Sequence, residues 1–245
     1  MPHPLDGAII RAVRAEEHTH DLGRRIDDLG RLYSEAALSK IDLDALNPSH
    51  LFIHEGQLLG AADALQLDKV ESPLIFSVLI GEACYNLRAA LDYLVFELAR
   101  EDSGQPQDGT QFLIEDTPEQ FARRKDANLR GVKCAHIAMI EALQPYKGCE
   151  WTKTLRTISN PDKHRHLTVT MSHRMGFVKF FTSPPIVQSE GPVRRARFRG
   201  SDVYVQYPVS VIVLFPDGGG VLKTLHILQA QVAETLEAFK PEFKR

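Results

Sequence analysis

The stretch LRTISNPDKHRHLTVTM, Leu155 to Met171, is where the chain changes character. Up to Ser159 the apolar residues recur at helical spacing, and Pro161 lies just past the last turn. From His166 onward, β-branched residues alternate with polar ones, the pattern of a half-buried strand. A helix that stops where a sheet begins makes the fold α+β, with the helices first. The same stretch crowds Arg156, Asn160, Asp162, Lys163, His164, Arg165 and His166 around the helix end, where the last carbonyls need partners.

Toward the C terminus, HLTVTMS, GFVKFF, RRARFRG and DVYVQYPVSVIVLF predict an antiparallel sheet over about residues 166–215. PDGGG (216–220) reads as a turn, and Leu222, Leu225, Leu228, Val232, Leu236 and Phe239 form the apolar face of a closing helix over about 221–240. Toward the N terminus, Ala8, Ala12, Ala15, Thr19, Leu22, Ile26, Leu29, Tyr33 and Ala36 predict a long amphipathic helix over about 5–38, with His18 and His20 on its solvated side. Residues 50–70 read as a hairpin or a pair of strands. Ser72 and Pro73 start a long helix, Thr117-Pro118-Glu119-Gln120 starts another, and further helices are expected over 133–143 and 151–159. There is no repeat and no compositional break, so the reading is one α+β domain over 1–245, helical to about residue 160.

Net charge is −3, so no global field recruits nucleic acid or an anionic membrane, and such contacts would need a local patch. Cys84, Cys134 and Cys149 are an odd number without metal-like spacing, as expected of free thiols in a reducing compartment. The N-terminal residues lack an apolar signal, and the longest strongly apolar run, VSVIVLF (209–215), is too short to span a bilayer. These features predict a cytoplasmic protein without a membrane partner.

On a helical wheel, Phe76, Ile80, Ala83, Leu87, Ala90, Leu91, Leu94 and Leu98 form one apolar face. Val78, Tyr85, Ala89 and Phe96 form a second on nearly the opposite side, so neighbours are expected to cover both. In the seams lie Glu82, Asn86 and Tyr93 on one edge, and Arg88 with Asp92 on the other. Buried polar groups need partners, and the 155–171 stretch is the obvious source. Asp92 would pair with Arg165 or orient His164, and Asn86 would meet backbone freed by Pro161. The cluster is then either a structural network or one wall of a site.

The segments GEACYNLRAALDYLVFELA and LRTISNPDKHRHL resemble a widespread set of uncharacterised bacterial proteins. These carry a helix of the type G-[DE]-A-x-x-N-L-R-x-x-L-D-x-L and a later N-x-D-K-H-R motif. Gly81, Glu82, Asn86, Leu87, Arg88, Leu91, Asp92 and Leu94 match the first, and Asn160, Asp162, Lys163, His164 and Arg165 the second. ALQPY (142–146) and RAEEH (14–18) fit as well. More distantly, the pieces resemble HEPN domains, helical bundles of toxin and defence systems that often cleave RNA without metal as dimers. Asn160 and His164 occupy the polar and histidine positions of that site, whereas Ser159 stands where its arginine is expected. The resemblance implies a HEPN-like helical core, and either a non-catalytic interaction module or a metal-independent ribonuclease.

Such cleavage needs a base for the 2′-hydroxyl and a cation for the phosphorane charge. His164 suits the first role; Arg88, Arg156 or Arg165 suits the second. The candidate catalytic set is therefore His164, Arg165, Arg88 and Asp92. The candidate binding set is Asn86, Arg156, Asn160, Asp162 and Lys163, joined by Arg195, Arg197 and Arg199. If 194–200 is a strand, those last three share one face, as a phosphate-tracking stripe or as charges guarding a sheet edge. Neither His164-x-His166 with His173 nor Cys134-x-His136 brings a second ligand pair, and Gly218 to Gly220 lack the Lys-Ser/Thr of a phosphate loop, so no metal or cofactor is expected. The expected partners are a second copy of the chain, and RNA or another protein.

Overall fold

The computed structural model describes residues 3–40, 74–162, 169–175, 179–181, 191–198 and 201–243. The predicted hairpin at 50–70 lies outside them. Six helices are described: α1 (Asp6–Lys40), α2 (Leu74–Ser103), α3 (Pro118–Asn128), α4 (Cys134–Ala142), α5 (Glu150–Asp162) and α6 (Val221–Phe239). Between α5 and α6 come β1 (Thr170–Met175), β2 (Lys179–Phe181), β3 (Val193–Phe198), β4 (Ser201–Gln206) and β5 (Val209–Leu214). The protein is thus α+β, with small antiparallel sheets after most of the helices and a helix at the C-terminal end. It divides into two compact units, Met1–Leu22 with Pro73–Thr168 and Val221–Arg245, and Gly23–Ser72 with Val169–Gly220.

In the first unit α2 is the central element. All eight residues of its predicted main face, from Phe76 to Leu98, are buried, and it packs against α5 and α6. From α6 come Leu225, Leu228, Val232, Leu236 and Phe239, all buried. Each fully buried leucine contributes about 1.5–3 kcal/mol relative to exposure. Gln229 ties α6 to α1, its amide donating to the Thr19 hydroxyl (2.6 Å) and to the Ala15 carbonyl (3.1 Å). By length and composition α2 could cross a membrane, yet 61% of its most apolar window is buried inside the protein. The starts predicted for the shorter helices are where the sequence puts them: the Thr117 hydroxyl caps α3 by accepting from Gln120 N at 3.3 Å. Helix α5 runs through Pro161 to Asp162, three residues beyond its predicted end at Ser159. The missing N–H of a proline in the last turn costs only one bond there.

In the second unit, the sequence predicted one antiparallel sheet, but the described strands form two. One pairs β1 with β5, from Thr170 opposite Leu214 to Met175 opposite Val209; the other has the order β2-β4-β3. The division falls at Tyr207-Pro208, inside a run that reads as one long strand. Pro208 has no N–H to give to a ladder, so the chain leaves one sheet there and enters the other. Strand β5 sits in a notch of α1. Ser34 Oγ donates to the Gly30 carbonyl (2.9 Å) and accepts from Val209 N (3.0 Å), while a Cβ on Gly30 would stand 2.7 Å from the Val209 oxygen.

Candidate functional site

Residues 111–115 belong to no helix or strand, yet Phe112, Leu113, Ile114 and Glu115 are all buried. Buried backbone must find hydrogen bonds, and with no neighbouring strand among the described residues it takes them from side chains. Phe112 is gripped from α2: its N–H donates to Asp92 Oδ1 (2.9 Å) and its carbonyl accepts from Arg88 Nη2. In an extended residue the N–H and C=O point the same way, so two helical side chains one turn apart can hold both. On the opposite edge Gln144 does the same with one amide, donating to the Leu113 carbonyl (2.8 Å) and accepting from Glu115 N (2.8 Å). Arg156 of α5 donates to the Ile114 carbonyl (3.1 Å). Side chains thus replace the ladder of a sheet along both edges of this strip.

The charges around the strip are matched. Arg124 binds Glu115 (2.6 Å), Arg156 binds Asp116 (2.6 Å), and Arg88 shares the Phe112 peptide with Asp92. Burial pulls the pKa of the Arg88 guanidinium down, with Asp92 acting in opposition. One Arg88 nitrogen, Nη1, is buried without a hydrogen-bond partner.

The other edge of α2 meets α1. Asn86 accepts from Arg11 Nη1 (3.3 Å) and donates to the Glu82 carbonyl (2.9 Å), and the Arg11 guanidinium lies 5.6 Å from the Tyr93 ring centroid. His18 Nδ1 is 3.2 Å from Glu82 Oε2, so this histidine turns onto α2 and not onto the solvated face predicted for it. The second apolar face of α2 departs from expectation: Val78 is 47% and Tyr85 60% exposed, with Ala89 and Phe96 half-buried. A pattern of apolar residues says that a face favours cover, but not which molecule supplies it.

Of the candidate catalytic set, Arg88 and Asp92 come together on the Phe112 peptide, whereas His164 and Arg165 lie outside the described residues, as does Lys163. Of the binding set, Asn86 sits on the opposite edge of α2, Arg156 grips the strip, and Asn160 and Asp162 fall in the last turn of α5. On β3, Arg195 pairs with Asp202 across the sheet, which raises the arginine's pKa, lowers the aspartate's and removes charge from the predicted basic stripe. Arg197 is exposed opposite Asp202, and Arg199 lies outside the described residues.

Two roles escaped the sequence reading, which met Gln144 only as part of a motif and His136 only as a possible metal ligand beside Cys134. Gln144 is fully buried inside the ALQPY motif; a glutamine between Leu143 and Pro145 is the signal that could have found it. His136 is also fully buried, with Nδ1 2.7 Å from Asp102 and Nε2 3.0 Å from Glu242. The two carboxylates lie off opposite ends of the ring, so they cannot share one ion with it. No group of three or more potential metal ligands occurs among the described residues. No protein-family model matches the sequence, and no curated protein or solved structure matches it either.

Proposed function

We propose that this chain is a non-catalytic interaction module of HEPN-like character, in which the polar residues of α2 are a structural network. The observation that carries the reading is the commitment of Arg88 and Asp92 to one buried peptide: both backbone groups of Phe112 are satisfied by them. Groups held in this way are spent on the fold, and the one-to-one match of arginines and carboxylates around the strip leaves little field for a phosphate. The exposed apolar face of α2 gives the module its contact surface.

A single observation favours the alternative, a metal-independent ribonuclease with His164 as base: the unpartnered Arg88 Nη1 is a cationic donor of the kind that holds a phosphorane oxygen. One experiment separates the two. Wild type and His164→Ala are incubated with a panel of structured RNAs in chelator and melted in parallel. On the module reading wild type leaves the RNA intact. Cleavage that His164→Ala abolishes at unchanged melting temperature would overturn it.

A further inference from the structure

We propose that His136 pins a pH-sensitive clasp at the C-terminal end of the chain. With both ring nitrogens protonated it holds residues 240–243 in place, and on losing one proton it releases them. The ring lies where segments distant in sequence meet, all of them within the first unit. Asp102 comes from the last turn of α2, Lys133 immediately precedes α4, and Glu242 ends a short 3₁₀ turn (Lys240–Glu242) that follows α6. Helix α6 adds the Phe239 ring, its centroid 6.4 Å from that of His136, while Lys240 turns back onto Glu237 (2.9 Å). His136 is fully buried, so its two nitrogens depend on the protein for partners.

Those partners fix the charge of the ring. Nδ1 stands 2.7 Å from Asp102 Oδ2, and Nε2 3.0 Å from Glu242 Oε2. An ionised carboxylate only accepts, and a neutral imidazole has one N–H and one lone pair, so only the imidazolium serves both. The carboxylates are held ionised from the other side. Asp102 Oδ2 also accepts from the Lys133 backbone N–H (2.9 Å), and Lys133 Nζ lies 3.8 Å from Asp102 and 3.7 Å from Glu242. The hydrogen bond from His136 keeps Glu242 below the ordinary carboxylate range as well. Take one ring proton away and the balance fails. The remaining N–H serves the shorter contact, Asp102, and a lone pair then faces Glu242. Glu242 is the partner able to leave, its side chain 37% exposed against 5% for Asp102. The next residue, Phe243, is buried and packs edge-on against His3 just ahead of α1, ring centroids 5.8 Å apart. Release of Glu242 therefore frees Phe243 and uncovers the start of α1. The clasp weakens as pH falls through the lowered Glu242 value, and it opens as pH rises and the ring deprotonates.

Nuclear magnetic resonance of the full chain tests the proposal. A para-fluorophenylalanine in place of Phe243 reads the clasp, and the imidazole nitrogen shifts of His136, assigned through its backbone resonances, read the charge of the ring. Near neutrality wild type should show an imidazolium and a packed fluorine line. Both should be lost together as pH is raised to ~9, below the ordinary lysine pKa of ~10.4. Glu242→Gln separates the clasp from the charge. Its amide accepts from an imidazolium or donates to the bare nitrogen of a neutral ring, so its packed line should persist through deprotonation. Lys133→Met should still open as pH rises, since the ring and not the lysine is the trigger. Circular dichroism at each pH should show the helices intact, because the release is local. A neutral His136 beneath a packed Phe243, or a wild type that keeps its imidazolium and packed line throughout, would overturn the proposal. So would a Glu242→Gln variant that opens along with wild type, a Lys133→Met variant that stays closed, or loss of the helices in step with the fluorine line.

Discussion

At the scale of single residues, the side-chain clamp on residues 111–115 makes unequal demands on similar substitutions. Asp92→Ala orphans the buried Phe112 N–H, at a cost of about 1–3 kcal/mol, while Asp92→Asn keeps an acceptor oxygen and should cost much less. Gln144→Ala removes both a donor to Leu113 and an acceptor for Glu115, so it should be the more damaging alanine. At roughly 2–4 °C per kcal/mol for a chain of this size, thermal melts resolve that order. Equal losses for Asp92→Ala and Asp92→Asn would mean that Asp92 acts through its charge and not as an acceptor. His136 makes a different demand. Both its nitrogens face carboxylates, and Glu242 is held below the ordinary carboxylate range by the histidine hydrogen bond, with Lys133 assisting. A depressed carboxylate stabilises the fold above its ordinary pKa of ~4.3, and that contribution disappears as pH falls through the lowered value. Glu242→Gln should therefore melt below wild type near neutrality, and the gap should close in acid. A gap independent of pH would assign Glu242 a packing role alone.

Among the elements, helices were legible and their surroundings were not. Period and caps place α1, α2, α3 and α6 within a few residues, because each signal is local. The two polar edges of α2 were legible as edges that need partners. Their partners were not, since Phe112 and Arg11 are distant in sequence and side-chain-to-backbone bonds leave no periodic trace. The division of the strands into two sheets turned on Pro208, whose effect depends on where the neighbouring strands lie. The notch that α1 offers β5 was likewise invisible, because glycine in a helix reads only as a weak spot. Its test runs against the usual rule. Gly→Ala inside a helix normally gains about 1 kcal/mol. At Gly30 the new Cβ would stand 2.7 Å from the Val209 oxygen, which is backbone and yields little. Gly30→Ala should lower the melting temperature; a rise would show that α1 and β5 part easily.

For the whole molecule, the described residues of the two units differ in the elements they bury. The first buries the main face of α2 together with Leu5, Leu22, Phe112, Phe121, Ile140 and Leu155 and the apolar side of α6. Among the described residues of the second, Ile26, Ala37, Leu38, Val205, Tyr207, Val209, Val213 and Phe215 are buried around strands of no more than six residues. Local opening free energy follows the apolar contact that opening must break, so the short strands should open at lower cost than the long, largely buried α2. Hydrogen exchange read by mass spectrometry should find the amides of β3, β4 and β5 exchanging well before those of α2 and α6. Gly30→Ala adds a directional check, because its strain falls on β5. Exchange should quicken in the strands by a larger factor than in α2. Strands as slow as α2, or a substitution that quickens α2 equally, would mean that the chain opens as a single cooperative body. In that event the helical unit and the strands share one stability, and the burial of each described element ceases to set the order of opening.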